Sequence, residues 1–177
     1  FLADFFIINL EDHYLLEINE KFFELFFRKL RVYKLRSKVE FKENINLLSF
    51  VFFSKKRPPI NKNINLYSDP RNNNLGTKAY LDRRYSDLEK ITHLKELSFD
   101  FYIEKLMINL VPNSPTDLIE NKSLLLENNF QNINAIDWDK GCYIGQEITA
   151  RMKYRSLLKK QLYVLELLSG SVNAGDN

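Results

Sequence analysis

Apolar and polar residues near the start of the chain follow one another in a pattern that predicts a β-hairpin and then a helix. Phe5 to Leu10 and Tyr14 to Ile18 are short aromatic and aliphatic runs joined by a polar connection, which is typical of two antiparallel strands. Asn19 is a favourable residue for the N-cap of a helix. Apolar positions then recur with helical spacing, so we expect a helix whose core face is made of Phe23, Phe26, Phe27 and Leu30.

The middle of the chain predicts further strands and two loops. Val39 to Phe41 and Ile45 to Phe53 have the composition of strands. The second is apolar almost throughout, which is typical of a strand in the centre of a sheet. Thr77 to Leu81 predicts one more strand. Polar residues with proline or glycine predict the loops, at Pro58 and Pro59 and at Asp69 to Gly76.

Two helices are predicted after these strands. Asp87 to Leu97 and Phe99 to Leu110 have helical character, and each follows a serine that can serve as its N-cap, Ser86 and Ser98. The mixture of strands and helices predicts an α+β protein.

The last third of the chain predicts less regular structure. We expect Leu118 to Phe130 to be irregular and Asp137 to Gly145 to form a special loop. Leu157 to Leu168 predicts a strand or a hairpin arm. Because the chain begins without Met and ends in a short polar stretch, we expect the natural protein to be longer at both ends.

Composition narrows the class of protein. The 177 residues argue for one domain or two small ones, and 45% hydrophobic with 28% charged residues is ordinary for a soluble chain. The longest apolar stretch, Leu47 to Phe53, is too short to span a bilayer, so we expect no membrane protein. One cysteine excludes an internal disulfide. Because His13 and His93 are also far apart in the sequence, we expect metal to be bound only together with a partner.

Positive charge is concentrated in two runs, although the net charge is only +3. Solvated protein surface and binding of an anionic ligand or RNA phosphate are equally good interpretations of such runs. The first run contains Arg28, Lys29, Arg31, Lys34, Arg36 and Lys38; the second contains Arg151, Lys153, Arg155, Lys159 and Lys160.

The strongest chemical signal is the segment from Lys140 to Glu147, with its single cysteine. Gly141 and Gly145 on either side of Cys142 predict a backbone turn with positive φ or the close approach of a ligand. We expect a helix to begin near Gly145, so that its dipole and Lys140 favour a thiolate at Cys142. Cys142 is therefore a candidate nucleophile or metal ligand. We also expect Glu147 to pair with Arg151 one helical turn later.

This segment resembles the signature of the YgfZ family, folate-binding proteins of iron–sulfur cluster assembly. The matching residues are Lys140, Gly141, Cys142, Gly145, Gln146 and Glu147, with an aromatic residue at Tyr143 and the family's arginine at Arg151. Further segments resemble the family in the same order: Leu35 to Val39, Asp69 to Arg71, Leu75 to Gly76, Ser123 to Glu127 and Asn134 to Ile136. The chain departs from the family pattern at Leu125, where a proline is usual, and at Ser156, where a glycine is usual.

The resemblance implies an α+β, aminomethyltransferase-like folate-binding fold, with an incomplete first domain and a truncated C-terminal β-barrel. Residues 1–155 would form the folate-binding region, and residues 156–177 would begin the barrel. In the related aminomethyltransferase of glycine cleavage the corresponding segment lacks the cysteine and the glutamine. Cys142 and Gln146 therefore favour the cluster-assembly branch of this fold family.

The resemblance also implies tetrahydrofolate, or a derivative, as a cofactor. Glu127 matches the family glutamate that faces the pterin, where a carboxylate can accept two hydrogen bonds from the ring; a solvent-facing glutamate is the alternative. Arg36, Lys38 and Arg71 are candidates to attract the glutamate tail of folate, and structural salt bridges explain them equally well. The remaining cofactor-binding residues implied by the signature are Lys140, Gly141, Tyr143, Gly145, Gln146, Glu147 and Arg151.

The function implied is that of a non-enzymatic or weakly enzymatic accessory factor that uses Cys142 as its reactive, catalytic residue. It would help to assemble or repair the iron–sulfur clusters of client enzymes, including enzymes that modify tRNA. Iron–sulfur client or scaffold proteins are the expected partners, in the cytoplasm or, in a eukaryote, the mitochondrial matrix. Two alternatives remain open: a tetrahydrofolate-dependent aminomethyl or one-carbon transferase, and a tRNA-contacting module that uses the basic runs.

Overall fold

The N-terminal hairpin and helix form as the sequence predicts. The computed structural model describes residues 1–54, 66–84, 94–143, 145–155, 158–173 and 175. Strands β1 (Phe5–Asn9) and β2 (Tyr14–Ile18) pair antiparallel, and helix α1 (Glu20–Tyr33) follows directly. The side chain of Asn19 accepts a hydrogen bond of 3.0 Å from the backbone N–H of Lys21, which caps the helix.

The apolar face of α1 covers the hairpin, and its most buried residue lies one position away from the predicted face. Phe22 is buried and packs edge-on against Phe1, with 5.9 Å between the ring centroids. The predicted core residues Phe23, Phe26, Phe27 and Leu30 are half-buried. Phe26 lies 4.5 Å from the ring of Phe5 on β1. These four residues thus form the predicted apolar face, but the two-stranded hairpin covers it only in part.

A second sheet has the strand order β3–β5–β4, all antiparallel. Its strands are β3 (Leu47–Phe52), β4 (Leu66–Ser68) and β5 (Thr77–Asp82). The apolar strand predicted to be central, β3, lies at an edge within the described part of the chain. The centre is β5, where Lys78, Ala79 and Leu81 are buried. The predicted strand at Val39 to Phe41 is absent, since those residues have no regular structure.

The main hydrophobic core lies between the loop before β5 and the second half of the chain. Its buried members are Leu75, Leu106, Val111, Leu118, Phe130 and Ile133. Gly76 brings the chain into β5 with φ +83°, and a Cβ there would lie 2.6 Å from the carbonyl oxygen of Phe52. Both the conformation and the close approach require glycine at this position.

The helices after β5 agree in part with the prediction. Helix α2 (Phe99–Ile108) is capped by Ser98, whose Oγ accepts a hydrogen bond of 3.2 Å from the N–H of Phe101. The predicted helix at Asp87 to Leu97 and the Pro58–Pro59 loop lie mainly outside the described residues, and residues 94–97 are not helical. A single helical turn, α3 (Ser114–Asp117), precedes a run of turns.

The C-terminal part contains one helix and an extended segment. Helix α4 (Glu147–Tyr154) begins where the sequence predicts. Residues 158–168 have no regular structure and are mostly exposed, so the strand predicted there is wrong: among the described residues no strand pairs with it. Nowhere in the described ranges is a helix long and apolar enough to cross a membrane. The protein is of mixed α and β type, whereas the aminomethyltransferase-like fold and the boundary at residue 155 stay predictions.

Candidate functional site

The cysteine segment is a loop whose ends are joined by two hydrogen bonds before α4 begins. The Oε1 atom of Gln146 accepts a hydrogen bond of 3.1 Å from the N–H of Tyr143, and the N–H of Gln146 donates to the carbonyl of Tyr143 at 3.3 Å. Gly145 has φ +95°, as predicted, and a Cβ there would meet no atom within 4 Å. Glycine is therefore needed at Gly145 for backbone conformation and not for space. Gly141 has no positive φ, so that part of its prediction is wrong, and no protein atom would lie within 4 Å of a Cβ there; the close approach of a ligand stays a prediction.

An open groove of about 210 Å³ lies between this loop and α4. Cys142 lines it and is exposed to solvent. The interpretation of Cys142 as an accessible thiol is therefore consistent with the structure, and a buried packing role is not. The other lining residues are Ile136, Asp137, Trp138, Lys140, Gly141, Tyr143, Gln146, Thr149, Ala150 and Tyr154.

Aromatic rings and ammonium groups surround the groove. The rings of Trp138 and Tyr154 meet edge-on with 6.2 Å between their centroids. Lys140 Nζ lies 5.2 Å from the ring centroid of Tyr143, and Lys153 Nζ lies 5.2 Å from that of Trp138. Lys153 also donates a hydrogen bond of 2.9 Å to Gln131 Oε1. These contacts hold positive charge beside two aromatic rings of the groove lining, Tyr143 and Trp138.

Only some of the predicted site residues come together at this groove. Lys140, Gly141, Cys142, Tyr143 and Gln146 line it, whereas Gly145, Glu147, Arg151 and Glu127 do not. Glu147 and Arg151 are both exposed.

The predicted pairing of Glu147 with Arg151 is wrong: no ion pair joins them in this fully described helix. Two long exposed side chains lose conformational entropy when they pair in water, and this loss offsets most of the attraction.

Glu127 lies in the run of turns between α3 and the cysteine loop, away from the groove lining. Its side chain is half-buried, and within the described ranges its carboxylate accepts no hydrogen bond and forms no ion pair. A half-buried carboxylate with its acceptors unused fits a ligand that donates two hydrogen bonds.

Arg71 belongs to a buried ion pair that the sequence analysis did not identify. Its side chain donates to both carboxylate oxygens of Asp69, at 3.0 and 2.7 Å, and at 2.8 Å to the hydroxyl of Tyr102. Burial acts to lower the pKa of Arg71, but the bonds to Asp69 and the charges of Asp69 and Tyr102 outweigh it and raise this pKa. On Tyr102 burial has the opposite effect and raises the pKa of the hydroxyl. Arg71 is thus committed to a structural salt bridge, the second of its two interpretations, and is not free to attract a folate tail.

A second buried charge lies on β5. Lys78 Nζ is 2.6 Å from Glu17 Oε2, and Tyr80 donates to the same oxygen at 2.5 Å. Burial, together with Glu17, raises the pKa of the Tyr80 hydroxyl. Phe6 lies between the two cationic groups, 4.0 Å from Lys78 Nζ and 4.8 Å from the guanidinium carbon of Arg71. In the sequence, the only signal for this cluster is the polar Lys78 within β5. Its partner Glu17 comes from another sheet, so the pattern of β5 alone does not predict the pair.

A hydrogen bond connects the Asp69 loop with the approach to Cys142. Asn134 Nδ2 donates to the carbonyl of Pro70 at 2.8 Å. Asn134 itself has φ +57°, a conformation that asparagine tolerates better than most residues. Asn74 in the same loop bonds Asn109 at 3.0 Å. The buried ion pair is therefore part of the frame from which the cysteine loop projects.

The basic runs are exposed except at Lys34, which is half-buried. Arg36 and Lys38, the other candidates for the folate tail, form no ion pair in the described part of the chain, and neither do Arg151 and Arg155. Among the described residues no group of three or more His, Cys, Asp or Glu side chains is placed to hold a metal ion. Cys142 is the single cysteine of the sequence and can supply one thiolate ligand.

Comparison with known proteins finds relatives that share one name. No family model matches the chain. The chain is 24% identical over 165 residues to the mitochondrial iron–sulfur cluster assembly factor IBA57 homolog of Dictyostelium discoideum, covering 86% of this chain and 40% of that protein. The homolog of Mycosarcoma maydis is 26% identical over 156 residues, 86% of this chain and 38% of that protein.

The human mitochondrial iron–sulfur cluster assembly factor IBA57 is 37% identical over 65 residues, 37% of this chain and 18% of that protein. The chain thus matches 40% or less of the length of each of these relatives.

Proposed function

We propose that this chain acts in the assembly of iron–sulfur clusters in the mitochondrial matrix, as a YgfZ-type factor with Cys142 as its reactive group. The observation that carries the proposal is the exposed thiol in an open groove. The similarity to relatives named as mitochondrial iron–sulfur cluster assembly factors supports both the process and the location. Iron–sulfur client or scaffold proteins are then the partners.

The groove suits a ligand-sharing role. A cysteine thiolate is the usual protein ligand of iron in these clusters, and four ligands are normally needed. Cys142 provides one, and an open groove allows a partner to bring the others to the same cluster, which is the cargo of the reaction.

Replacing the sulfur tests this role directly. Cys142→Ser removes the sulfur ligand and keeps the size of an exposed side chain, so folding should not change. The cluster occupancy of client enzymes should fall to the level found in cells without the protein. Ile148→Ala is the matched control, because Ile148 is exposed on α4 outside the groove lining. Unchanged client occupancy with Cys142→Ser contradicts the proposal.

We further propose that tetrahydrofolate, or a derivative, binds at Glu127. The support is chemical: a half-buried carboxylate with free acceptors matches the amino group and ring N–H of a pterin. Tetrahydrofolate would supply a one-carbon carrier, while Glu127 would orient the ring.

Calorimetric titration with tetrahydrofolate tests this part. Glu127→Gln keeps the shape but loses charge and one acceptor, and should weaken binding by about tenfold or more. Glu120→Gln, at an exposed position on the same segment, is the control and should leave the affinity unchanged. Equal affinities of the wild type and Glu127→Gln place the ligand elsewhere. Turnover of an aminomethyl donor in the same samples would favour the transferase alternative.

A further inference from the structure

The side chain of Gln146 bonds back to the cysteine loop instead of capping the helix that it precedes. Gln146 occupies the N-cap position of α4, but its side chain makes no capping hydrogen bond in this fully described helix. Its Oε1 atom accepts from the N–H of Tyr143, three residues earlier, at 3.1 Å. Because a backbone N–H is a donor, only the oxygen of the amide can make this bond. The acceptor of Gln146 is therefore used within the loop.

The backbone of Gln146 closes a turn at the same place. Its N–H donates to the carbonyl of Tyr143 at 3.3 Å, which forms a four-residue turn with Gly145 as the third residue. Gly145 has φ +95°, a conformation that glycine adopts readily at the third position of a turn. Both bonds of Gln146 thus converge on Tyr143, the residue that directly follows Cys142.

The position of Cys142 depends on these bonds, because little else holds it. Its side chain is exposed, so packing gives it little support. In the part of the chain that the structure describes, residues 140–142 neither donate nor accept a hydrogen bond. The nearest earlier bond joins the N–H of Asp139 to Oδ1 of Asp137 at 2.8 Å. The thiol therefore lies on a short segment that is fixed only at its two ends.

We propose that Gln146 is a positioning residue, whose bond to Tyr143 fixes the place from which the Cys142 thiol ligates a cluster. The inference rests on the proposed function and adds a residue with a role to the same site. A functional atom must be held within about 0.5 Å of its productive position, and residues behind a metal ligand usually do this. Gln146 is half-buried, so water competes less for its bond than for a bond on the open surface.

The position of the thiol can be measured directly by fluorescence. Trp138 and Cys142 are the single tryptophan and the single cysteine of the sequence, and both line the groove. Cys142 of the full chain is labelled with the fluorophore IAEDANS, and time-resolved energy transfer from Trp138 gives the distribution of distances between the two. We expect this distribution to be narrow in the wild type.

Two substitutions at Gln146 separate the hydrogen bond from the size of the side chain. Gln146→Met keeps the length and removes the acceptor, so the distance distribution should broaden. The N–H of Tyr143 should then exchange with solvent about fivefold faster, as the loss of one hydrogen bond implies. Gln146→Glu restores the acceptor at a helix N-terminus that favours a carboxylate, so both measurements should return to the wild-type values.

The matched control is Gln161→Met, the same change at an exposed position outside the groove lining. It should leave the distance distribution unchanged. The Tm should stay the same in the variants at both positions, because neither glutamine belongs to the hydrophobic core.

Gly145→Ala opens the same turn without changing Gln146. A Cβ at Gly145 would meet no atom within 4 Å, so the substitution acts only by making φ +95° unfavourable. The distance distribution should broaden as in Gln146→Met. A narrow distribution in Gly145→Ala would mean that this turn does not hold the thiol, and would overturn the inference.

The cluster occupancy of client enzymes distinguishes positioning from the chemistry of the thiol. In Gln146→Met, Cys142 should react with iodoacetamide at a rate within about twofold of the wild type, because the sulfur stays exposed. Client occupancy should nevertheless fall towards that of Cys142→Ser. Unchanged occupancy in Cys142→Ser contradicts the proposed function alone, because energy transfer measures the loop whatever the function is.

Three further results overturn the inference. The first is an equal distance distribution in the wild type and Gln146→Met, and the second is unchanged client occupancy in Gln146→Met when Cys142→Ser lowers it. The third is a client occupancy in Gln146→Glu as low as in Gln146→Met although its distance distribution is narrow, which would mean that the amide itself contacts the ligand.

Discussion

Two Asp-X-Arg segments of this chain make the same hydrogen bonds in different surroundings. In Asp69 to Arg71 the arginine donates from its backbone N–H, Nε and Nη2 at 3.0, 3.0 and 2.7 Å. In Asp82 to Arg84 the same three bonds measure 2.9, 2.9 and 2.6 Å. In the first pair both side chains are buried, 0% (Asp69) and 14% (Arg71) exposed, whereas in the second pair Asp82 is 12% exposed and Arg84 is 67% exposed.

The difference shows that geometry does not set the energetic weight of an ion pair. Water competes for the exposed Arg84, so little is lost when its pair opens. Asp69 has no access to water, and removal of its partner would leave an uncompensated charge in the interior. The buried pair also holds the loop that is bonded to Asn134 and, through it, the approach to Cys142.

Deletion of each arginine side chain should give the largest difference in stability between the two segments. Arg71→Ala should lower the free energy of unfolding by about 3–5 kcal/mol, because Asp69 stays buried without a partner. Arg84→Ala removes the same local bonds and should have a much smaller effect. Urea unfolding of the two variants beside the wild type measures the difference. Similar losses in both variants would mean that burial does not decide the weight of these pairs.

Removal of the Tyr102 hydroxyl tests how much an additional partner contributes to the buried pair. Tyr102→Phe deletes the hydroxyl that accepts from Arg71 Nη2, while the bonds to Asp69 remain. We expect a loss of about 1–2 kcal/mol in the free energy of unfolding. Tyr14→Phe is the control, since Tyr14 is exposed and should change this free energy little. A loss in Tyr102→Phe no larger than in the control argues against a contribution from this hydroxyl.

The smallest effect concerns the pair of Asp82 with the exposed Arg84 at low pH. The side chain and backbone of Arg84 donate to Asp82 and lower the pKa of its carboxyl from 3.8 to about 2. A carboxyl with a lowered pKa contributes stability above its unfolded pKa and loses it as the pH falls through the folded value. This contribution should therefore be complete above about pH 4–5 and disappear towards pH 2.

Carboxyl chemical shifts followed by NMR during titration measure this pKa. In Arg84→Gln the midpoint for Asp82 should move back towards 3.8, since the strongest donor is lost. An unchanged midpoint in the variant would assign the shift to another group.

Elements defined by neighbouring residues were predictable from the sequence. The hairpin, α1 and α2 follow from local apolar patterns and from the caps Asn19 and Ser98, each of which bonds a backbone group two or three residues away. The positive φ at Gly145 and the start of α4 were predicted in the same way.

Predictions that depended on distant partners failed. The apolar composition of β3 suggested a central strand, yet β5 is the central one of the described strands. There Glu17 and Phe6 from the hairpin allow Lys78 to be buried. The segment 158–168 has the composition of a strand but has no strand beside it among the described residues.

In the candidate site, too, local features were predictable and features that depend on distant residues were not. The signature located Cys142 and the groove residues around it, but the separation of Glu127 from that groove and the burial of Arg71 depend on how the chain packs. The lone cysteine gave no indication from its own position of whether it would be exposed.

The amino-acid order alone determined the hairpin, the capped helices and the turn in both Asp-X-Arg segments, because their hydrogen bonds join residues only a few positions apart. Tertiary structure alone decided which of these aspartates is enclosed, which strand is central and which side chains face the groove. Burial is produced by groups from remote parts of the chain, and removal of water from a charge changes its energy far more than any change in its local bond lengths.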